Sequence, residues 1–277
     1  MATKNMLLKP VLKWAGGKRQ LLPDILPLLP SSPKLYVEPF LGGAAVLLAA
    51  QPARARINDA NPELINVYTV IRDQPDDLIA LLREHKEKDT STYYYEIRAM
   101  DRSPSFASLD AIHRAARIIY LNKTCFNGLY RVNSAGQVNS PYGRYKNPNI
   151  VNEAGIRALS SYLQGEIELM CGDYSLALKD LPSGSFVYLD PPYMPLSQTS
   201  SFTGYTEGGF SYDEQVRLRD ECLHLKEQGI RFVQSNSDCP EVRELYSSFH
   251  IRTVQAKRSI NAKGNKRGAV SEVLIYG

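Results

Sequence analysis

The apolar run Phe186-Val-Tyr-Leu189 is followed at once by Asp190-Pro191-Pro192-Tyr193. Proline has no N–H for a sheet ladder and a fixed φ, so a buried strand must end at this point. A second run, Leu35-Tyr-Val-Glu-Pro-Phe40, also ends abruptly, at Leu41-Gly42-Gly43, before the apolar stretch Ala44–Ala50. Strands that stop at polar or glycine turns and alternate with helical stretches imply a parallel sheet covered on both faces. In such sheets ligands bind outside the carboxyl ends of the strands, where both turns fall.

The rest of the chain extends this pattern. Arg56-Ile-Asn-Asp59 reads as a second short strand, and Asn61-Pro62-Glu63 opens a helix with an N-cap, a proline in the first turn and an acid. That helix runs to about Asp73 and gives way at Pro75 to another through Lys88. A further helix is expected around Leu109–Asn122, then a β-hairpin of Leu129–Asn133 and Gln137–Tyr142 about the turn Ser134-Ala-Gly136. Strands are expected at Ile167–Cys171, Phe186–Asp190 and Ile230–Ser235. Ser211-Tyr-Asp-Glu214 is a capping box for a helix ending near Gly229. Ile251–Ala256 and Ala269–Tyr276 close the sheet as an antiparallel pair. The change of character marks 62–156 as a module inserted into a domain made of 1–61 and 157–277.

Charge is unevenly distributed. From Ala111 to Asn152 there is no acid, but there are Arg114, Arg117, Lys123, Arg131, Arg144 and Lys146. Leu245–Ser271 is again free of acids and holds Arg252, Lys257, Arg258, Lys263, Lys266 and Arg267. The net charge is only +4, so the remainder is acidic. Two basic segments, the first interleaved with aromatics, point to a polyanion partner. The longest near-apolar run, Phe40–Ala50, is too short for a bilayer, which needs roughly 20 residues. No secretory h-region precedes a cleavage site near Met1, so a cytoplasmic protein is expected. The four cysteines show no CxxC spacing and the four histidines no HxxxH or HExxH, which argues against a metal site.

Three motifs carry chemistry. In the first, Asp190 and a proline carbonyl can each accept a hydrogen bond from an exocyclic amino group. The consecutive Pro191 and Pro192 hold those acceptors rigidly, and Tyr193 offers a flat face for an extruded base. The second is Glu38-Pro39-Phe40-Leu41-Gly42-Gly43, whose glycines let a ligand approach the backbone; it is not GxGxxG, so a dinucleotide site is poorly supported. Asp59, about 20 residues downstream, is placed to take ribose hydroxyls. The third is Lys13-Trp14-Ala15-Gly16-Gly17-Lys18, which carries the single tryptophan of the chain. Ser197–Gly209 reads as a loop near the first motif.

Lys13–Lys18, Glu38–Gly43, Asn58-Asp59, Gly172-Asp173-Tyr174 and Asp190–Tyr193, in that order, resemble the Dam-type (D12 class) N6-adenine DNA methyltransferases. The resemblance covers nearly the whole chain. Asn122–Arg131 and Pro141–Lys146 are similar to the target-recognition hairpin of members that methylate GATC. It implies a Rossmann-like α/β methyltransferase domain with an inserted, mainly helical target-recognition domain that carries a β-hairpin. By the same resemblance, Trp14, Ala15, Gly16, Lys18, Glu38, Pro39, Phe40, Gly42, Gly43, Asp59, Asp173, Tyr174 and Asp190 would surround S-adenosylmethionine. Asp190, Pro191, Pro192 and Tyr193 would hold a flipped adenine. Lys13 would touch the first base pair; Leu129, Arg131 and Pro141 would read the outer half of the site. Asn127 would sit at the gap left by the base, with Asn139, Tyr145 and Lys146 nearby on the DNA. A monomer acting on double-stranded DNA without metal or membrane is expected. An RNA or protein amino-methyltransferase, or a silent DNA-binding relative, are the alternatives.

Overall fold

The computed structural model describes residues 4–195, 210–257 and 269–277. Among them seven strands form one sheet: β1 (Tyr36–Glu38), β2 (Arg54–Asp59), β3 (Glu166–Cys171), β4 (Phe186–Leu189), β5 (Arg231–Ser237), β6 (His250–Lys257) and β7 (Ala269–Tyr276). Their order is β3-β2-β1-β4-β5-β7-β6. The first five are mutually parallel, whereas β7 runs antiparallel to both β5 and β6. The order reverses at β1–β4, where Tyr36 pairs with Phe186 and Val37 with Val187. The expected Ser197–Gly209 loop lies outside the described residues, as do Arg258, Lys263, Lys266 and Arg267 of the second basic segment.

Side-chain alternation divides the interior in two. Tyr36, Phe186 and Tyr188 face one hydrophobic cluster, which includes residues of the helices α1 (Leu22–Ile25), α2 (Ala45–Ala50), α3 (Pro62–Asp73), α4 (Pro75–Glu87), α5 (Ser91–Ala99), α6 (Ala111–Thr124) and α7 (Glu153–Leu163). Val37, Val187 and Leu189 face the other, built with α8 (Tyr174–Ala177), α9 (Tyr212–Glu227) and α10 (Pro240–Leu245). Short runs such as α5, α8 and α10 carried too few periodic residues to stand out in the sequence.

The expected insert does not form a core of its own. Its helix α3 touches β2 and β3 as well as α6, and α7 spans position 156. The hairpin is present as paired segments rather than long strands. Single bridges join Cys125 to Tyr142 and Val132 to Val138, and Asn139 N–H donates to the Arg131 carbonyl at 3.1 Å. Gly143 is needed at the return, because a Cβ there would lie 2.8 Å from the Thr124 carbonyl oxygen and 2.9 Å from that of Cys125.

The caps follow the sequence closely. Asn61 accepts from Glu63 N–H at 3.0 Å and Leu64 N–H at 3.2 Å, while Ser211 accepts from Glu214 N–H at 3.2 Å. No helix among the described residues is long and apolar enough to cross a membrane. Replacing Asn61 by Ala removes both acceptor contacts at the start of α3, and chemical denaturation should show a loss of about 1 kcal/mol.

Candidate active site and DNA-facing surface

Because β1 and β4 are neighbours, Glu38-Pro39-Phe40 and Asp190–Tyr193 leave the same edge of the sheet side by side. Asp190 is partly buried and meets two donors there. The Lys18 ammonium lies 2.7 Å from its Oδ1, and the Ser235 hydroxyl donates to it at 2.9 Å. Lys18 also donates to the Gly16 carbonyl at 2.6 Å and sits 4.6 Å from the centre of the Tyr193 ring. The Tyr193 hydroxyl donates to Glu272 Oε2 at 2.7 Å. Burial, then the charges of Asp190 and Glu272, push the Tyr193 phenol well above its ordinary range, so it remains a donor.

The turn after Asp190 is braced from below. Gln215 Nε2 donates to the Pro192 carbonyl at 2.9 Å, and Asn236 Nδ2 donates to Gln215 Oε1 at 3.1 Å. Met194 N–H donates to Asn236 Oδ1 at 3.1 Å, and Ser237 Oγ donates to the Met194 carbonyl at 2.7 Å. Gln234, Ser235, Asn236 and Ser237 are all buried, although four consecutive polar residues at a strand end would ordinarily suggest a surface loop. That run was the available sequence signal for Ser235 and Asn236. Gln215, Glu272 and Arg217 offered none.

The glycine turn forms the second wall. Asp59 Oδ2 accepts from Gly42 N–H and its Oδ1 from Asn61 N–H, both at 2.9 Å. Burial raises its carboxyl, and these two bonds oppose that shift. Gly42 has φ +48°, and a Cβ there would stand 3.2 Å from Trp14 Cδ1. Phe40 stacks on Tyr174 with ring centroids 5.0 Å apart, and the Arg217 guanidinium lies 4.8 Å from the Tyr174 centroid on that ring. Asp173, expected to face the cofactor, is engaged within the chain: Arg217 donates to both its oxygens at 2.7 and 3.0 Å, and it caps α8 through Ser175 N–H. The Arg217 contact is the main reason its carboxyl is lowered to about 2. Ala15 and Gly16 are exposed beside these walls.

Glu38 is buried, and its Oε2 accepts from the Tyr36 hydroxyl at 2.6 Å and Leu47 N–H at 3.0 Å. Desolvation raises its carboxyl to about 8 despite those bonds. These contacts make Glu38 a brace between β1 and α2, and Pro39 is buried next to it.

The hairpin meets the loop at Lys13. Lys13 N–H donates to Asn122 Oδ1 at 2.9 Å, and Asn122 Nδ2 donates back to the Lys13 carbonyl at 2.8 Å. Trp14 stacks on Tyr130 at 5.8 Å, and the Lys13 ammonium lies 6.0 Å from the Tyr145 ring centre. Asn127 adopts φ 56°, ψ 12° beside Phe126, whose side chain is 53% exposed and is a candidate contact not singled out from sequence. Arg131, Pro141, Tyr145 and Lys146 are exposed, whereas Leu129 and Asn139 are partly covered. Ser140 fixes the hairpin backbone: its hydroxyl accepts from Arg131 N–H at 3.1 Å and donates to the Leu129 carbonyl.

The basic segment is less uniformly directed outward than its composition suggested. Arg117 is buried, pairs with Asp101 at 2.8 Å and donates to the carbonyls of Ile97 and Arg98; Arg114 pairs with Glu63. These two cations organise the fold, because acids distant in sequence neutralise them. Lys123 is half-buried, and desolvation followed by the charges of Lys13 and Arg19 lowers it to about 8. In the second basic segment Arg252 pairs with Asp24 at 2.8 Å. Among the described residues, no group of three or more His, Cys, Asp or Glu is arranged to hold a metal.

One sheet edge thus carries the Asp190–Tyr193 turn beside the glycine turn, with the hairpin joined to them through Lys13 and Trp14. The family model for D12 class N6 adenine-specific DNA methyltransferases matches residues 14–260, and the chain belongs to that family. It is 47% identical over 99% of its length to a type II methyltransferase, M1.LlaDCHI, from Lactococcus lactis subsp. cremoris, covering 98% of that protein. It is 41% identical to the type II methyltransferase M.MjaIII of Methanocaldococcus jannaschii, covering 98% of this chain and 99% of the relative. Against the DNA adenine methylase of Escherichia coli K12 it is 36% identical, covering 95% of this chain and 93% of the relative. The protein is an adenine-specific DNA methyltransferase with DNA as its substrate, and its α/β fold is Rossmann-like.

The Glu38 brace has a pH signature. A carboxyl held near 8 in the folded state but near 4.5 when unfolded takes up a proton on folding, so its contribution to stability declines as pH rises between those values. In Glu38→Gln this decline disappears. Thermal unfolding of the two proteins between pH 5 and 8 should show the variant gaining on the parent as pH rises.

Proposed function

We propose that the protein transfers a methyl group from S-adenosylmethionine to N6 of an adenine extruded from duplex DNA, and that its target is GATC. The reading is carried by the Asp190–Tyr193 turn, where an N–H donor, the Lys18 ammonium, is held on the carboxylate and against the Tyr193 ring. An adenine amino group needs the same acceptor and the same flat face. Lys18 therefore belongs to the amine pocket as much as to the cofactor wall.

The cleft suits S-adenosylmethionine. Asn58 Oδ1 and Tyr174 Oη are buried without hydrogen-bond partners among the described residues, and both lie beside the glycine turn and the Phe40–Tyr174 stack. Asn58 Nδ2 already donates to the Pro39 and Gly172 carbonyls at 3.0 Å, which sets its amide at the ends of three strands. The Phe40–Gly43 turn, Asp59, Tyr174 and Trp14 would hold the cofactor, whose sulfonium methyl is the electrophile. Asp190 and the Pro191 carbonyl would accept from the two N–H groups of adenine N6. Their pull favours a pyramidal nitrogen with its lone pair available, and they stand where positive charge develops during transfer. Tyr193 would keep the base plane in register, because orientation supplies most of the acceleration in such a step.

Residues 62–156 would serve as the target-recognition module. Lys13 and Arg19, close enough to lower Lys123, form with it a cationic group suited to a phosphate backbone. Arg131 has the planar fork that reads guanine O6 and N7, and Leu129 and Pro141 offer apolar contact to a thymine methyl. Exposed Phe126 beside Asn127 suits the space vacated by an extruded base. Asn139, Tyr145 and Lys146 would support the hairpin on the DNA. The protein would act in the cytoplasm on the nucleoid, as a monomer without a catalytic metal.

Labelled methyl should enter a duplex containing GATC and not one with that site scrambled. Equal incorporation into both duplexes discards GATC, and incorporation into RNA alone discards duplex DNA as the target. Asp190→Ala should bind the same duplex while transferring methyl at least about 100-fold more slowly. Arg131→Ala should lower discrimination against a changed guanine by about 1–3 kcal/mol. Equal weakening on cognate and random DNA would instead mark Arg131 as a phosphate contact.

A further inference from the structure

The turn that offers Asp190 is secured by two strands that follow it in sequence. Ser235, on β5, holds the carboxylate, and Glu272, on β7, holds the Tyr193 hydroxyl. Glu272 reaches this edge because β7 is reversed. It pairs opposite Ser237, so the beginning of β7 lies where the parallel strands end. Strand alternation places Glu272 on the same face as Leu274, within the cluster that contains Tyr188. The 2.7 Å bond from the Tyr193 phenol is charge-assisted, the stronger kind of hydrogen bond.

The Ser235 side chain also reaches the Tyr193 phenol, so Glu272 is one of two side chains that hold it. Its ring carries the Lys18 ammonium on one face at 4.6 Å, while its backbone belongs to the turn braced by Gln215 and Asn236. A tyrosine anchored only by its backbone can rotate about its side-chain bonds. Pinning the hydroxyl as well holds the far end of the ring axis, and the preference of a phenol O–H for the plane of its ring then favours one orientation of the ring face. A carboxylate accepting from the phenol also adds electron density to the ring, and this strengthens its attraction for the Lys18 ammonium over its face.

We propose that Glu272 is a positioning residue for methyl transfer: by holding the Tyr193 hydroxyl it fixes the ring against which the target adenine stacks. This rests on the reading of Asp190–Tyr193 as the amine pocket. Glu272 itself touches neither substrate nor cofactor. It acts through Tyr193, so its loss alters the rate of the chemical step and leaves the affinity for either substrate alone.

The test uses the full chain, S-adenosylmethionine and a duplex that the parent protein methylates, with single-turnover rates, KM for both substrates and thermal midpoints. Glu272→Ala should slow single-turnover transfer about 10- to 100-fold, the scale expected for a small misplacement of reacting groups. Both KM values should stay within about threefold, while the midpoint falls by a few degrees because the buried phenol loses its acceptor. Glu272→Gln, whose amide oxygen can still accept from the phenol, should recover most of the rate. Tyr193→Phe should be slowed to a similar degree, and the double variant should be no slower than the slower single one. A parent-like rate for Glu272→Ala, multiplying losses in the double variant, or a Glu272→Gln protein as slow as Glu272→Ala would overturn the proposal. If Asp190→Ala retains the parent rate, the amine pocket itself is misassigned and both readings fall together.

Discussion

The direct pairing of β1 with β4 is the constraint on which the site depends. At that point the strand order reverses, so the chain leaves β1 toward α2 and leaves β4 toward α9. The crevice between the departing segments is bounded by the glycine turn on one side and by Asp190–Tyr193 on the other. Parallel strands give both turns the same direction, because all their carboxyl ends share an edge. Shifting the β1–β4 register by one residue would send Tyr36 and Val37 to exchanged faces and carry Glu38 out of its place beneath α2.

Holding polar groups at the bottom of that crevice requires nearly complete hydrogen bonding, since each buried unpaired group costs about 1–3 kcal/mol. Glu38 is bonded to Tyr36 and Leu47, and the polar run at the end of β5 is bonded to the turn above it. Gln234 donates to the Tyr246 hydroxyl at 2.9 Å and accepts from the Cys222 thiol at 3.4 Å. The unsatisfied atoms beside the crevice, Asn58 Oδ1 and Tyr174 Oη, therefore stand out against a well-bonded background. A floor made rigid in this way suits a reaction that depends on placement more than on proton transfer.

The hairpin and the catalytic edge are joined through Lys13 and Trp14. Asn122 clamps the Lys13 backbone from α6, and Tyr130 stacks on Trp14, whose side chain in turn borders Gly42. Four residues farther on, Lys18 reaches Asp190. The same short loop thus touches the segment expected to meet DNA and the carboxylate expected to meet the base. Because helices from residues 62–156 and the sheet share a hydrophobic cluster, they pack as continuous structure at this junction.

The sequence alone determined the α/β alternation, the caps at Asn61 and Ser211, and the two turns at the ends of β1 and β4, because these depend on local rules: proline ends a ladder, glycine permits a close turn, and short polar side chains cap helices. It also marked Lys13–Lys18 and the hairpin, through unusual residues within a few positions of one another. The tertiary structure decided which of the clustered cations are free to face outward. Arg114 and Arg117 met acids distant in sequence, at Glu63 and Asp101. It likewise decided that Asp173 would serve Arg217, that Glu38 would lie buried between β1 and α2, and that reversed β7 would bring Glu272 to Tyr193. Those outcomes depend on strand order and strand direction. Such pairings leave no periodicity or spacing in one chain, because the partners are set by tertiary packing rather than by position along the sequence.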